Sequence, residues 1–364
     1  MWLTLTRKGI SMATYTYALW NNKGGVGKSY LTFQLACEYA RLHPNKKVLV
    51  VDLCPQANSS GMLLGGIVKG EQALDDLSSK VPRRTVAGYI RERTVSPYNN
   101  PRCGSGYVTQ VSTINPRIPA NLFLVVGDES LEVLASRVSN ALLPGPDNAW
   151  GLVHGWIRDL IEDIKTAWNG SSSAVFIDCN PSFGIYTELA LSAADRLVIP
   201  FSADGSSKRA VRSVLSLVYG ISRLAGEQKS DFHLRSEEYN MRLPGIFCYI
   251  GNRLTQGKGS SANAFRSVVN TIFQEVHTVW QEHPNNFCIH GGASPRSTSE
   301  FKSMFQYEVR DANTASVVSS SLGIPLFSLT AGPYDLPGKK GVKVNQSQLD
   351  RLQPNIEELA RNIE

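Results

Sequence analysis

Three glycines stand between two lysines near the start of the chain, and a hydroxyl group follows directly. The stretch runs from Lys23 to Ser29 and reads KGGVGKS. Glycine tolerates the backbone angles at which consecutive N–H groups converge on one anion, and it lets the anion's oxygens come close. Lys28 adds a positive charge that can reach β- and γ-phosphates, and the Ser29 hydroxyl is a ligand that Mg²⁺ accepts. The pattern therefore predicts a site for a phosphate chain with magnesium.

The elements around this stretch are the ones that such a site needs. The apolar run 14–20 precedes it, and LTFQLACEYARL follows it with helical spacing. A helix that begins near Lys28 points its positive N-terminus at the same anion. A glycine-rich turn with incidental lysines is the alternative, but the strand, the helix and the Lys–Ser pair together favour phosphate. Strict Walker A has glycine where this chain has Asn22, so the motif is a deviant form.

The rest of the chain alternates short apolar runs with amphipathic helical stretches. The runs are nearly continuous in apolar residues, which is typical of strands buried on both faces. We therefore expect an α/β fold with a mostly parallel central sheet and helices on both faces. The predicted strands are 14–20, 47–52, 121–126, 173–178, 196–201 and 244–250.

The domain organisation predicted from composition is simple. We expect one domain over 13–364, preceded by an extension at 1–12 that is disordered or packed. The segment around 65–120 is rich in Gly, Pro, Asn and Ser, so we expect an irregular insertion with one short helix and long loops. Apolar residues at helical spacing predict a terminal packing helix around 346–364.

Charge and cysteine content constrain the partners and the compartment. The 364 residues carry a net charge of +6, which permits a polyanionic partner without requiring one. The six cysteines are scattered and form no CxxC pair, as is usual in a reducing compartment. No apolar run is long enough to cross a bilayer, and the first residues lack the features of a signal peptide. We expect a cytoplasmic protein without stable membrane insertion.

Taken together, the motifs resemble those of the ParA/MinD group of P-loop ATPases. KGGVGKS is similar to that group's deviant Walker A motif, VLVVDLCPQAN to its DxDPQxN stretch, and VFIDCNPSFG to its Walker B stretch. The likeness continues through NLFLVVGDESLEVL, AADRLVIPFSADGSSKRAV and GIFCYIGNRL, and so covers most of the chain. The PQxN and NPSFG patterns favour the ParA branch, in its form without an N-terminal DNA-reading domain.

The resemblance implies ATP and Mg²⁺ as cofactors, hydrolysis of ATP as the reaction, and a homodimer in the ATP state. Lys23 matches the signature lysine that reaches across the dimer to the partner's nucleotide, where a cation stabilises charge on the phosphoryl oxygens. Asp178 matches the Walker B carboxylate, and Asp52 belongs to the switch that senses the γ-phosphate and the metal. The implied catalytic residues are Lys23, Lys28, Asp52 and Asp178; the magnesium residues are Ser29, Asp52 and Asp178; the nucleotide residues are Gly24, Gly25, Val26, Gly27, Lys28, Ser29, Tyr30 and Asn252.

Purely structural roles remain open for several of these residues. Lys23 could be a solvated loop lysine, and Asp178 could cap a helix at the end of a strand. For Asn252, a contact with the adenine edge and a plain turn role are equally open.

Three positions depart from the pattern of the group. Cys54 stands where the group has the second carboxylate of DxDPQ, which is thought to position or activate the attacking water. A thiol is a poor general base, so we expect ATP·Mg²⁺ to bind tightly and to be hydrolysed slowly. Asp52 or a partner could supply the missing group, or the change could be harmless. Tyr30 replaces a usual Thr, and the 202–204 turn replaces a usual Gln and Glu.

The resemblance also implies partners, namely double-stranded DNA bound without sequence preference and a ParB-like activating protein. Such DNA binding needs a basic surface that neutralises phosphates. Residues 209, 212 and 223 have spacing that could place them on one helical face. The candidates are Lys208, Arg209, Arg212, Arg223, Arg253, Lys258 and Arg266, with Arg296 and Lys302 further on. For any single one of these residues, a solvated helix face is the alternative.

Two other classes of function compete with DNA partition or cargo positioning. One is an ATP-gated scaffold or signalling switch that recruits a protein and binds no DNA. The other is an iron–sulfur or reductase relative of the same fold, for which only Cys103 and Cys179 are candidate ligands, without a recognisable context. Biotin- or cobyrinate-type ligases share the fold but lack the signature lysine, so Lys23 argues against them.

Overall fold

A computed structural model describes residues 14–143, 145–202, 204–222, 226, 228–254, 260–310 and 313–363. Side chains are described throughout these ranges except at 253–254 and 260–265. The predicted extension at 1–12 and the candidates Arg223 and Lys258 lie outside the described residues, as does the side chain of Arg253.

One eight-stranded sheet forms the centre of the molecule. Its strands are β1 Thr16–Leu19, β2 Lys47–Asp52, β3 Val108–Gln110, β4 Leu122–Val125, β5 Ser173–Asp178, β6 Arg196–Ser202, β7 Gly245–Leu254 and β8 Gln306–Arg310. They lie in the order β3-β4-β2-β5-β1-β6-β7-β8, and every pair is parallel except β3 with β4. The predicted α/β class with a mostly parallel sheet is confirmed.

Helices cover both faces of the sheet and divide the core into two layers. They are α1 Lys28–Leu42, α2 Asn58–Leu64, α3 Gly66–Ser78, α4 Val86–Val95, α5 Leu131–Asn140, α6 Ala149–His154, α7 Trp156–Ala167, α8 Ile185–Ala193, α9 Ser207–Tyr219, α10 Asp231–Glu238, α11 Ser260–Glu282, α12 Thr298–Phe305, α13 Thr314–Leu322 and α14 Gln346–Arg361. The layer on one face contains α1, α2, α3, α13 and α14, and the layer on the other face contains residues of each helix from α4 to α12. None of the helices in the described part of the chain is both long and apolar enough to traverse a membrane.

The strands pack on both faces because their apolar residues are continuous. In β2, Leu49 and Val51 face one layer, while Val48 and Val50 face the other, and all four are fully buried. Successive strand residues point to opposite faces, so only an unbroken apolar run can fill both layers.

Parallel pairing brings the motif residues to one edge of the sheet. Asp178 at the end of β5 lies in register with Asp52 of β2 and with Leu19 of β1. The glycine-rich loop leaves β1 a few residues later and enters α1 at Lys28. The carboxyl ends of the central strands therefore converge on one place, as they do in open α/β sheets that bind ligands.

The segment around 65–120 is more regular than its composition predicts. It contains α3 and β3, which the sequence did not indicate, in addition to α4, which corresponds to the predicted short helix. The antiparallel hairpin of β9 (Gly332–Leu336) and β10 (Lys339–Val344) was also not predicted. The terminal helix α14 agrees closely with the predicted one.

Helix α3 is held against α13 and α2 by close backbone contacts at glycines. A Cβ atom added at Gly66 would lie 2.1 Å from the carbonyl oxygen of Ser321, and one at Gly70 would lie 2.2 Å from that of Gly61. The buried Asn115 amide donates to the carbonyls of both Leu63 (2.9 Å) and Gly323 (2.8 Å) and so ties the two regions together. The sequence therefore fixes α3 in place rather than leaving a loose insertion.

Candidate functional site

The glycine-rich loop forms an open cradle at the start of α1. Gly25 and Gly27 have φ angles of +75° and +83°, in the left-handed region that favours glycine. A Cβ atom added at Gly24 or Gly25 would meet nothing within 4 Å, so the space above the loop is empty. The backbone N–H groups of the loop and the N-terminus of α1 therefore border a space in which phosphate oxygens fit.

Lys28 is buried, and its ammonium group is folded back onto the loop. Its Nζ donates to the carbonyl oxygens of Lys23 (2.9 Å) and Asn21 (3.2 Å). Burial lowers the pKa of Lys28, and the nearby carboxylate of Asp178 opposes that change. A phosphate offers full negative charge where these carbonyls offer only partial charge, so the lysine is poised to exchange them for an anion.

Lys23 is held within its own subunit by the turn after β6. Its ammonium group forms an ion pair with Asp204 and lies 3.1 Å from the Ser202 hydroxyl oxygen. Burial alone would raise the pKa of Asp204, but the hydrogen bonds from Lys23 and Ser202 keep that pKa well below its usual range. The pair is partly exposed to solvent, so it restrains Lys23 without locking it.

The carboxylate of Asp178 is buried at the end of β5. It is fully buried, and neither of its oxygens has a hydrogen-bond partner. Burial first, and then the nearby Asp52, raise the pKa of Asp178 to about 7. The hydroxyls of Ser29 and Ser59 lie near enough to lower the pKa without making a hydrogen bond of ordinary geometry. An orphaned carboxylate beside hydroxyl groups is an oxygen-rich site that suits Mg²⁺.

Asp52 has a different environment from Asp178. Its Oδ1 accepts from the Cys54 backbone N–H (3.0 Å), and its Oδ2 accepts from the backbone N–H (3.0 Å) and hydroxyl (2.7 Å) of Ser60. Ser60 also accepts from the Gly127 N–H at 2.9 Å. Burial raises the pKa of Asp52, and these hydrogen bonds oppose the rise. Asp52 therefore holds the loop after β2 in shape, and its catalytic and metal roles remain predictions.

Cys54 lies at the site but cannot act as a base. Its side chain is buried and lines the cavity above the loop. Burial, followed by the carboxylates of Asp52 and Asp178, raises the pKa of the Cys54 thiol to about 12. The thiol therefore stays protonated at neutral pH and offers water neither charge nor a strong acceptor.

A cavity of about 630 Å³ extends from the loop into the groove between α3 and α13. Ser29 and Tyr30 line it on the side of α1, Ile67 on the side of α3, and Ser316 and Val317 on the side of α13. This volume is typical of a pocket for a small organic ligand.

Asn252 supports the loop. Its amide donates to the carbonyl oxygen of Val26 at 2.9 Å, and the residue is buried. This bond joins the end of β7 to the glycine-rich loop across the sheet edge. The predicted contact with an adenine edge stays a prediction.

The basic candidates are not equivalent. Lys208 and Arg212 on α9 both pair with the buried Glu275 of α11, at 3.6 Å and 2.6 Å. Arg209 and Arg266 are exposed. Helix α9 ends at Tyr219, and the predicted face shared by residues 209, 212 and 223 stays a prediction because Arg223 lies outside the described residues.

Sequence reasoning missed two residues that the structure brings to the site. Asp204 is 181 residues from Lys23 and pairs with it through the fold alone. The Ser59 hydroxyl is fully buried without a hydrogen-bond partner and affects the pKa of Asp178. The position of Ser59 after the PQAN stretch was the only available signal.

Comparison with known proteins decides the family. A family described as an AAA domain, AAA_31, matches residues 14–233, which is more than half of the chain. The chain belongs to this family. The AAA-domain match covers the glycine-rich loop, Asp52 and Asp178, and it agrees with the resemblance to ParA/MinD-type P-loop ATPases.

Relatives of the AAA-domain chain include a sporulation initiation inhibitor and a chromosome partitioning protein. The sporulation initiation inhibitor protein Soj of Bacillus subtilis is 27% identical over 203 residues, which cover 55% of this chain and 63% of Soj. The chromosome partitioning protein ParA of Caulobacter vibrioides is 26% identical over 188 residues, covering 51% of this chain and 55% of that ParA. The chain thus spans less than two thirds of either relative.

Solved structures share the fold of the AAA-domain chain. The McdA protein of Cyanothece without nucleotide has a TM-score of 0.56 and 15% identity, and the match covers 95% of this chain and 99% of McdA. A variant of McdA in complex with ATP has a TM-score of 0.55 and 16% identity, covering 96% and 97%. At this identity the likeness establishes the shared fold.

The orphaned carboxylate leads to a prediction about stability. Asp178→Asn removes a buried charge that no hydrogen bond compensates, so the ligand-free protein should become more stable by about 1–3 kcal/mol. Thermal unfolding in EDTA without nucleotide should show a melting temperature raised by a few degrees. The exposed Asp76→Asn on α3 is the control and should leave it unchanged. A lower melting temperature for Asp178→Asn would contradict the reading of Asp178 as uncompensated.

Proposed function

We propose that the chain is a ParA-like ATPase that binds ATP·Mg²⁺ and forms a nucleotide-dependent homodimer. The observation that carries the proposal is the pairing of an open glycine cradle with Asp178, a fully buried carboxylate that has no hydrogen-bond partner. A buried carboxylate without a hydrogen-bond partner is suited to a cation, and the cradle beside it is suited to an anion. ATP with Mg²⁺ provides both charges in one ligand.

Each residue then has a defined task. The loop N–H groups and the start of α1 bind phosphate oxygens, and Lys28 turns from the carbonyls of Asn21 and Lys23 to the phosphates. Ser29 and Asp178 would hold Mg²⁺, which neutralises charge on the phosphates when bound. Asp52 keeps the loop after β2 in place.

Lys23 couples the nucleotide to dimer formation. In the monomer it pairs with Asp204 of its own chain. A second subunit that presents its triphosphate at this surface offers a more highly charged partner, and Lys23 would move to it. The extra cation would stabilise charge on the phosphoryl oxygens as the terminal bond breaks. Dimer and active site would therefore form together.

The test of this proposal is the molar mass of the protein with nucleotide. Light scattering should show a dimer with Mg²⁺ and a non-hydrolysable ATP analogue, and a monomer with ADP. Lys23→Ala should remain monomeric while it still binds the analogue. The control is Lys165→Ala on α7, which pairs with Glu162 away from the site and should dimerise normally. A wild-type protein that stays monomeric with saturating analogue would refute the proposal.

Hydrolysis should be slow because of Cys54. Its protonated thiol cannot accept a proton from water or hold it firmly, and such contributions are worth about 10²–10⁴-fold in rate. We expect Cys54→Asp to raise the steady-state release of phosphate at least tenfold, and Cys54→Ser, which adds no charge, to leave it nearly unchanged. If the wild type already turns over as fast as Cys54→Asp, this position does not limit the rate.

We further propose that the ATP dimer binds double-stranded DNA without sequence preference, acts in DNA partition or cargo positioning in the cytoplasm, and is triggered by a ParB-like partner. The name of the relative ParA, a chromosome partitioning protein, supports partition, and exposed Arg209 and Arg266 supply positive charge. Lys208 and Arg212 contribute less because Glu275 already offsets them. Because Glu275 reduces the positive charge that Lys208 and Arg212 offer to DNA, these ion pairs also support the second candidate, an ATP-gated scaffold that recruits a protein and binds no DNA.

Gel shifts with random duplex DNA distinguish these two functions. With Mg²⁺ and the ATP analogue, the wild type should bind and its affinity should fall steeply with salt. The double variant Arg209→Glu with Arg266→Glu should lose binding. Arg91→Glu with Arg102→Glu makes the same charge change at exposed residues of the 65–120 segment and should retain it. Absence of any shift for the wild type favours the scaffold.

A further inference from the structure

We propose that Ser59 is a positioning residue for the cation site, its hydroxyl donating to one oxygen of Asp178 while the other oxygen faces Mg²⁺. This inference rests on the proposed function, because it concerns the carboxylate that would hold Mg²⁺ there. It adds a residue of α2 to a site that the sequence motifs build from the glycine-rich loop and from the ends of two strands.

The first argument is that the Ser59 hydroxyl is buried without a partner. Ser59 is fully buried, and its Oγ makes no hydrogen bond. Both carboxylate oxygens of Asp178 are in the same condition. Buried polar groups in folded proteins are almost always hydrogen-bonded, so unpartnered groups on two residues of one site require an explanation.

The second argument is that these unpartnered groups are neighbours. The hydroxyls of Ser29 and Ser59 both lower the pKa of Asp178, which places each of them near that carboxylate. Ser29 lines the cavity above the loop, whereas Ser59 and Asp178 lie beneath its lining. Ser59 can therefore serve the carboxylate without occupying the side from which a cation would reach it.

The third argument is that the neighbouring carboxylate already has its donors. Asp52 accepts from the Cys54 N–H and from both the N–H and the hydroxyl of Ser60. The Ser59 hydroxyl also lowers the pKa of Asp52, so it lies near both carboxylates. Of the two, Asp178 is the one whose oxygens accept no hydrogen bond.

The fourth argument is that the backbone around Ser59 is fixed. The next residue, Ser60, donates to Asp52 at 2.7 Å and accepts from the Gly127 N–H at 2.9 Å. Ala57, which immediately precedes α2, has a φ angle of +49°, in the left-handed region that alanine seldom adopts. Such strain persists where the surrounding structure enforces it, and it is frequent at ligand sites. The backbone therefore presents the hydroxyl to the carboxylate from a fixed place.

A hydrogen bond from Ser59 would change how firmly the carboxylate holds a cation. Mg²⁺ binds the charged form of a carboxylate, and the burial of Asp178 disfavours that form. A hydroxyl that donates to one oxygen stabilises the charge and fixes the direction of the other oxygen. We therefore expect Ser59 to raise the affinity for Mg²⁺ and to leave the affinity of the loop for phosphate unchanged.

The test separates the binding of Mg²⁺ from the binding of phosphate. Calorimetry measures the affinity for a non-hydrolysable ATP analogue, first in EDTA and then across a titration with Mg²⁺. Ser59→Ala should raise the half-saturating Mg²⁺ concentration about 10-fold, because the carboxylate loses its donor. Its affinity for the analogue in EDTA should stay within about twofold of the wild type.

Ser59→Cys distinguishes a donor from a side chain that only fills space. A thiol has nearly the size of the hydroxyl but donates weakly, so this variant should lose nearly as much affinity for Mg²⁺ as Ser59→Ala. Because it preserves the packing, it also carries the test if Ser59→Ala does not fold.

Ser173→Ala is the matched control. Ser173 begins β5, the strand that Asp178 ends, and its hydroxyl is likewise buried without a partner. It lies at the opposite end of the strand from the site, so its truncation should change neither the affinity for Mg²⁺ nor the affinity for the analogue.

The inference is overturned if Ser59→Ala binds Mg²⁺ like the wild type, if Ser59→Cys restores the affinity, or if Ser173→Ala weakens Mg²⁺ binding as much. It is also overturned if Ser59→Ala loses the analogue equally in EDTA and in Mg²⁺. Each of these results leaves the proposed function intact. A wild type that binds the analogue under neither condition refutes the proposed function itself.

Discussion

The structure depends on a carboxylate that the fold buries without satisfying. Asp178 ends β5 at the centre of the parallel sheet, where neighbouring strands cover it on both sides and no donor bonds its oxygens. Burying an unpaired charge is costly, and the sheet can bear that cost because its two apolar layers contribute far more. Such a position suits a cation, which would meet a carboxylate that water does not screen.

The two lysines of the loop, Lys23 and Lys28, are also held in positions where a phosphate group could bind them. In the ligand-free chain Lys28 is bound to backbone carbonyls and Lys23 to Asp204, so neither ammonium group is left without an oxygen. Both partners are weaker than a triphosphate, one because it carries only partial charge and the other because solvent reaches it. In the proposed function, the subunit's own nucleotide would draw Lys28 from these carbonyls and the nucleotide of a second subunit would draw Lys23 from Asp204, so the loop and the β6–α9 turn would both change.

The chain after Asp52 connects the charged groups at the sheet edge to the rest of the cavity. Hydrogen bonds from Cys54 and Ser60 fix Asp52, and α2 and α3 then carry the chain across to α13. One end of the cavity lies at the charged groups of the loop, and the other end is lined by Ile67 and Val317 together with polar residues such as Ser316 and Ser320. Cys54 lies between these two regions, where burial and the carboxylates of Asp52 and Asp178 raise the pKa of its thiol.

The sequence by itself determined the sheet, the loop and most of the residues at its edge. Continuous apolar runs give strands buried on both faces, and glycines before Lys28 give a cradle, because both depend on local spacing. Composition did not indicate α3, since its glycines contributed to the prediction of an irregular segment whereas Gly66 and Gly70 serve close packing. Only the tertiary structure decided the pairing of Lys23 with Asp204, the bond from Asn252 to Val26, and the meeting of Ile67 with Val317 at one cavity. These contacts join residues far apart in the chain, and no local pattern encodes a distance that the packing of the whole sheet sets.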